Sequence, residues 1–100
     1  MNDIRTEANK TLKRWVDSRN KENLDFFNGV TIISHGDGSH FVFQNSNAKG
    51  IVIDDVRFVL VATEHCGYHV FFAEDLERWR WYPEEQFYSQ RDKYETIRKR

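Results

Sequence analysis

The residues best equipped for chemistry fall in two short segments. His35-x-Asp37-x-x-His40 and His65-Cys66-x-x-His69 hold all four histidines and the only cysteine of the 100-residue chain. Histidine, cysteine and carboxylate are the ligand types zinc accepts. The spacings match no zinc motif. Whether the two segments meet depends on the chain between them. Read as one strand, Ile51–Thr63 would span about 43 Å, too long for a domain of this size. The break falls at Asp54-Asp55. That puts the two histidine segments at opposite ends of a meander, so surface histidines in polar turns are expected, with no metal site.

Cys66 beside His65 is a nucleophile-and-base pair by type. Adjacent residues in a strand or turn point apart, and no oxyanion device is legible, so a partly buried thiol is expected. Glu74, Asp75, Glu77, Glu84 and Glu85 could supply paired carboxylates for hydrolysis. Arginines interrupt them, which reads as solvated charge. His35-Gly36-Asp37-Gly38-Ser39 has two glycines but neither a following helix nor a nearby lysine, so it reads as a hairpin turn, not a phosphate cradle. No catalytic residues, no cofactor and no enzymatic activity are expected.

Arg78-Trp79-Arg80-Trp81-Tyr82 is the most unusual local run. It lies in Tyr68–Tyr88, which carries eight of the fifteen aromatics and the only proline. On a strand, Trp79 and Trp81 share one face while Arg78, Arg80 and Tyr82 share the other. Tryptophans on the core with arginines outside is one reading. A protein-binding surface is the functional one, because Trp, Tyr and Arg dominate interface hot spots. A single-strand nucleic-acid platform would use the same residues, but the flanking acids would repel phosphates.

The positioning elements follow from periodicity. Ile4, Ala8, Leu12, Trp15 and Val16 define an amphipathic helix over about Asp3–Arg19. Lys10, Lys13, Arg14 and Lys21 form its basic, solvated back, and Leu24, Phe26 and Phe27 are expected to tuck under a sheet. Val30–Gln44 reads as a hairpin about the His35–Gly38 turn, and Asn45–Gly50 as a polar loop. Ile51–Ile53 and Val56–Thr63 are strands about Asp54-Asp55. Val56, Phe58, Leu60 and Ala62 share one face of the second, and Val59 and Val61 the other, so that strand is central or lies within a strongly curved sheet. Tyr68–Phe72 is a strand, Ala73–Glu77 a loop or single helical turn, and Arg78–Tyr82 a strand. Pro83 begins a last helix with Phe87, Tyr88, Tyr94 and Ile97 as its stripe and Arg98–Arg100 at its negative end.

The expected fold is α+β: one domain over residues 1–100, with a small antiparallel meander or half-barrel of five to six strands and a helix at each end. Apolar residues make up 39% of the chain, too many for a disordered segment. The net charge of −1 argues against long-range attraction to nucleic acid or anionic membrane. A single cysteine, no signal-peptide core and no apolar run near 20 residues lead to an expectation of a soluble, cytoplasmic protein. The functional expectation is a non-enzymatic protein-binding module, such as an inhibitor, an immunity-type protein or a phage or mobile-element accessory factor. It would bind another protein, or itself as a homodimer, through Arg78, Trp79, Arg80, Trp81 and Tyr82. The alternatives are a single-strand nucleic-acid binder using Trp79 and Trp81, and a small metal-binding or enzymatic domain using the histidine turns.

Overall fold

A computed structural model describes residues 4–21 and 26–86, without the side chains of residues 20 and 21. The order is α1 (Ile4–Lys21), β1 (Gly29–His35), β2 (His40–Ile53), β3 (Val56–Thr63), β4 (Tyr68–Phe72), a 3-10 turn (Ala73–Asp75) and β5 (Leu76–Pro83). Residues 84–86 then enter a helical turn. Every strand pair is antiparallel, and the strands lie in one sheet in the order β4-β3-β2-β1-β5. This is the α+β class expected. Leu24, Phe87, Tyr88, Tyr94 and Ile97 lie outside the described residues.

The apolar periodicity of α1 becomes packing. Ala8, Leu12 and Val16 are fully covered and meet Phe58, Leu60 and Ala62 of β3 and Val70 of β4. Trp15 is half-buried beside Phe26, edge to face at 4.9 Å, with the Lys49 ammonium over its ring at 4.9 Å. The alternate residues of β3, Val59 and Val61, join Ile33 in a second core on the opposite, inner face. A strand buried on both faces needs this doubly apolar sequence. Lys10, Lys13 and Arg14 are exposed, as expected of the back of the helix.

The Asp54-Asp55 break is a two-residue hairpin with both residues at positive φ (50° and 64°). That is the backbone whose twist matches its flanking strands. The expected loop Asn45–Gly50 is instead continuous strand. β2 pairs with β1 through its first half and with β3 from Ser46 onward. The extra residue is absorbed at a bulge: Gly29 opposes Ser46 while Thr31 opposes Phe43, with Asn45 at φ 49°. Turn-forming residues misled the periodicity here because a bulge needs the same positive φ as a turn. The bulge is held by a buried hydroxyl pair. Thr31 Oγ1 lies 2.8 Å from Ser46 Oγ, and Ser46 Oγ donates to the Phe43 carbonyl at 2.8 Å.

The chain then forces the sheet to curl. Phe72 sits beside Phe58 and hence near Ile51, whereas Leu76 sits beside His35 and hence near His40. A straight β2 would hold Ile51 and His40 about 36 Å apart. The four residue steps from Phe72 to Leu76 reach at most about 14 Å. Only a strong bend of β2 reconciles the two distances, and the bulge at Asn45 lies in the stretch that bends. The inner core duly draws on all five strands: Ile33, Phe43 and Ala48, Val59 and Val61, Phe71, and Leu76 and Trp79.

Candidate partner-binding surface

β5 is an edge of the sheet. It pairs with β1, and among the described residues no strand pairs on its other side. Alternation sends Trp79 and Trp81 inward and Arg78 and Arg80 outward. Trp79 joins the inner core and reaches across the curl to Gly50, where an added Cβ would lie 3.5 Å from the ring. Trp81 donates its indole N–H to the Ser46 carbonyl at 3.0 Å. Its ring lies so close over Gly29 that a Cβ there would overlap it. Gly29 of β1 therefore makes room for Trp81, whereas a Cβ at Gly50 would meet Trp79 in ordinary contact. Both tryptophans remain half-buried, and an open groove along β5 is lined by Ala48, Arg78, Trp79, Arg80, Trp81 and Tyr82. The five residues expected from sequence thus lie along one surface feature, with the Trp79 indole also serving the core.

The direction of the main chain in β5 follows from one bond. The Glu84 amide donates to the Asn28 carbonyl at 2.9 Å, in register with Gly29 opposite Pro83. In an antiparallel ladder alternate residues bond to the neighbour. Arg78 and Arg80 therefore turn their amides and carbonyls toward β1, and Trp79 and Trp81 turn theirs to the open side. Pro83 belongs to the outward set, where its missing N–H costs nothing. It closes β5 and does not open the helix as its sequence context suggested.

The other edge differs. The Thr63 amide bonds the Gly67 carbonyl at 3.0 Å, so the same alternation turns the Val70 main chain outward. There Arg5 of α1 donates to the Val70 carbonyl at 3.2 Å and lies 5.6 Å from the Phe72 ring centre. The helix thus covers part of the β4 edge.

The histidine turns do not lie at opposite ends as expected. The Asp54-Asp55 hairpin is as expected, but Asn45–Gly50 is strand and not a loop, so the chain reverses one time fewer. Both turns therefore fall at the same end of the sheet, where the curl brings His35 and His69 to a common rim of the inner face. The His35 ring lies 6.0 Å from Phe71 and 5.3 Å from Phe41, and the His69 ring 4.8 Å from Phe43. Phe41 is 48% exposed. His40 and His65 do not join them. Nδ1 of His40 is 3.0 Å from Ser34 Oγ, and His65 faces Glu64 at 3.9 Å. Among the described residues no three His, Cys, Asp or Glu side chains converge as metal ligands. Cys66 is exposed, not half-buried as expected. The turn around it is built by Thr63, whose hydroxyl donates to the Gly67 carbonyl (2.7 Å) and accepts from the Cys66 amide (2.8 Å). The expected hairpin turn at His35–Gly38 is present. Asp37 Oδ1 there accepts the Ser39 hydroxyl (2.6 Å) and amide (2.9 Å), bonds that hold the Asp37 carboxyl below its ordinary range.

The Phe41–Phe43–Phe71 rim was not singled out by sequence reasoning. The Phe41/Phe43 alternation was legible, but only the curl brings β4 against it.

These features define the class of the chain: an α+β domain with one helix-backed, strongly curled five-stranded sheet and an aromatic edge strand. No helix among the described residues is long and apolar enough to cross a membrane. No family model matches the chain, and no curated protein or solved structure is significantly similar to it.

Proposed function

We propose that this chain is a small non-enzymatic protein-binding module that docks its partner along β5, through Arg78, Trp79, Arg80, Trp81 and Tyr82. One observation carries the reading: the two half-buried tryptophans line an open groove at an edge strand, with arginines beside them. Tryptophan and arginine anchors in a partly desolvated groove are the side chains that supply most interface free energy. Rigid half-buried rings lose little entropy on docking, which raises affinity per contact. The exposed rim around Phe41 extends the apolar area available on the inner face. A different protein or a second copy could occupy this surface. An inhibitor, an immunity-type protein or a mobile-element accessory factor would each act in this way.

The test is capture of partner proteins from the native host by immobilised protein, with the Arg78→Glu/Arg80→Glu double variant as comparison. Both side chains are exposed, so the fold should be unchanged by circular dichroism. A partner held by the native chain and weakened at least about tenfold by the double variant supports the reading. Equal retention by both proteins would sink it.

A further inference from the structure

We infer that the β5 edge takes an extended acidic-apolar segment as a sixth strand, and this rests on the docking surface proposed above. Trp79 and Trp81 direct two amides and two carbonyls to the open side of the sheet, by the ladder alternation set at Glu84 and Asn28. Unpaired edge groups of this kind template an incoming strand. The β4 edge is a poorer template, because Arg5 already occupies the outward Val70 carbonyl.

Alternation also defines the chemistry of the incoming strand. Residues directly opposite each other share a face of a sheet. Those opposite Trp79 and Trp81 enter the inner groove over the indoles, and these are the apolar positions. The residue opposite Arg80, and the one opposite Arg78, lie on the outer face. Among the described residues neither arginine has an ion-pair partner, so carboxylates fit there. The window is short. The acids Glu74, Asp75 and Glu77 precede it, and Pro83 has no N–H to offer beyond it. The segment is thus a run of about five residues alternating apolar and acidic. Pairing of β5 with β5 of a second copy would set arginine against arginine, which is unfavourable. The geometry therefore favours a different, acidic chain.

The probe is a fluorescein-labelled nonapeptide of alternating valine and glutamate, titrated into the full chain by fluorescence anisotropy. Saturable binding below about 1 mM is expected, with the Trp79 and Trp81 amides newly protected from hydrogen exchange. Two analogues are decisive. N-methylation of one alternate set of peptide amides (the valines if the strand adds antiparallel, the glutamates if parallel) should weaken binding at least about tenfold, and the other set should leave it unchanged. Replacing glutamate by lysine should weaken the native chain's binding, and Arg78→Glu/Arg80→Glu should reverse that preference. No binding up to about 1 mM, or equal effects of the two methylated sets, would overturn strand addition. If the methylated sets are equivalent while the double variant still weakens peptide or partner binding, strand addition fails and the docking surface stands.

Discussion

At the residue scale, the β1–β5 pairing depends on one place where a side chain would not fit. Gly29 has no Cβ because Trp81 occupies that space. Gly29→Ala should therefore destabilise the fold by about 1–3 kcal/mol, the range for overpacking, read as a lower urea midpoint with an altered tryptophan emission maximum. A change within error would mean that Trp81 has an alternative seat. Asp37 offers a pH test. Its carboxyl titrates below its ordinary value because Ser39 donates to it twice. The ionised form is thus favoured in the folded state. Its stabilising contribution is present above the ordinary carboxylate pKa and is lost as pH falls through the lowered one. NMR titration should place Asp37 below an ordinary aspartate, and Ser39→Ala should return it toward that value.

At the element scale, the two-residue hairpin between β2 and β3 stands at positive φ with aspartates in both positions. Glycine adopts that backbone without strain, and Asp-Gly is a preferred pair for such a turn. Asp55→Gly is therefore expected to raise stability by up to about 1 kcal/mol, seen as a higher melting temperature; a clear loss would argue that Asp55 has a further role. Helix α1 is attached by three fully covered side chains. Leu12→Ala should cost about 2–5 kcal/mol by chemical denaturation, and a cost below about 1 kcal/mol would mean that the helix is not required by the sheet. The helix, the β2–β3 turn and the strands β3, β4 and β5 were legible because their apolar periodicities are strong. The continuous β2 was not. Its Asn45–Gly50 stretch is polar and turn-forming, yet it pairs in the ladder, because backbone hydrogen bonding and a bulge prevail over local propensity.

At the scale of the whole molecule, the inner core has no local part. Ile33, Val59 and Val61 meet side chains from every strand, so the core forms only when β5 returns to β1. Unfolding should therefore be one cooperative transition, with tryptophan fluorescence and far-ultraviolet circular dichroism superimposing; separated midpoints would show that β5 leaves the sheet independently. The long-range β1–β5 pairing also makes a slow, topology-limited refolding phase the expectation, as for other small sheets with non-local contacts.

The fold class and nearly every element follow from the order of residues alone, because local propensity and the alternation of apolar side chains act over a few positions. So does the pairing of arginines and tryptophans on opposite faces of Arg78–Tyr82. What the order of residues did not determine is which distant segments meet. His35 and His69 share a rim although the hairpin at Asp54-Asp55 is as expected. The Asn45–Gly50 stretch pairs as strand, which removes one chain reversal and puts both turns at the same end, and the curl then closes the rim. The tertiary structure likewise decided that β5 is an edge among the described strands, that its tryptophan main chain faces away from β1, and that both indoles are half-buried, with Trp79 packed on the inner core. An edge is set by which strands pair and which do not among the described residues, and pairing is settled by the whole sheet.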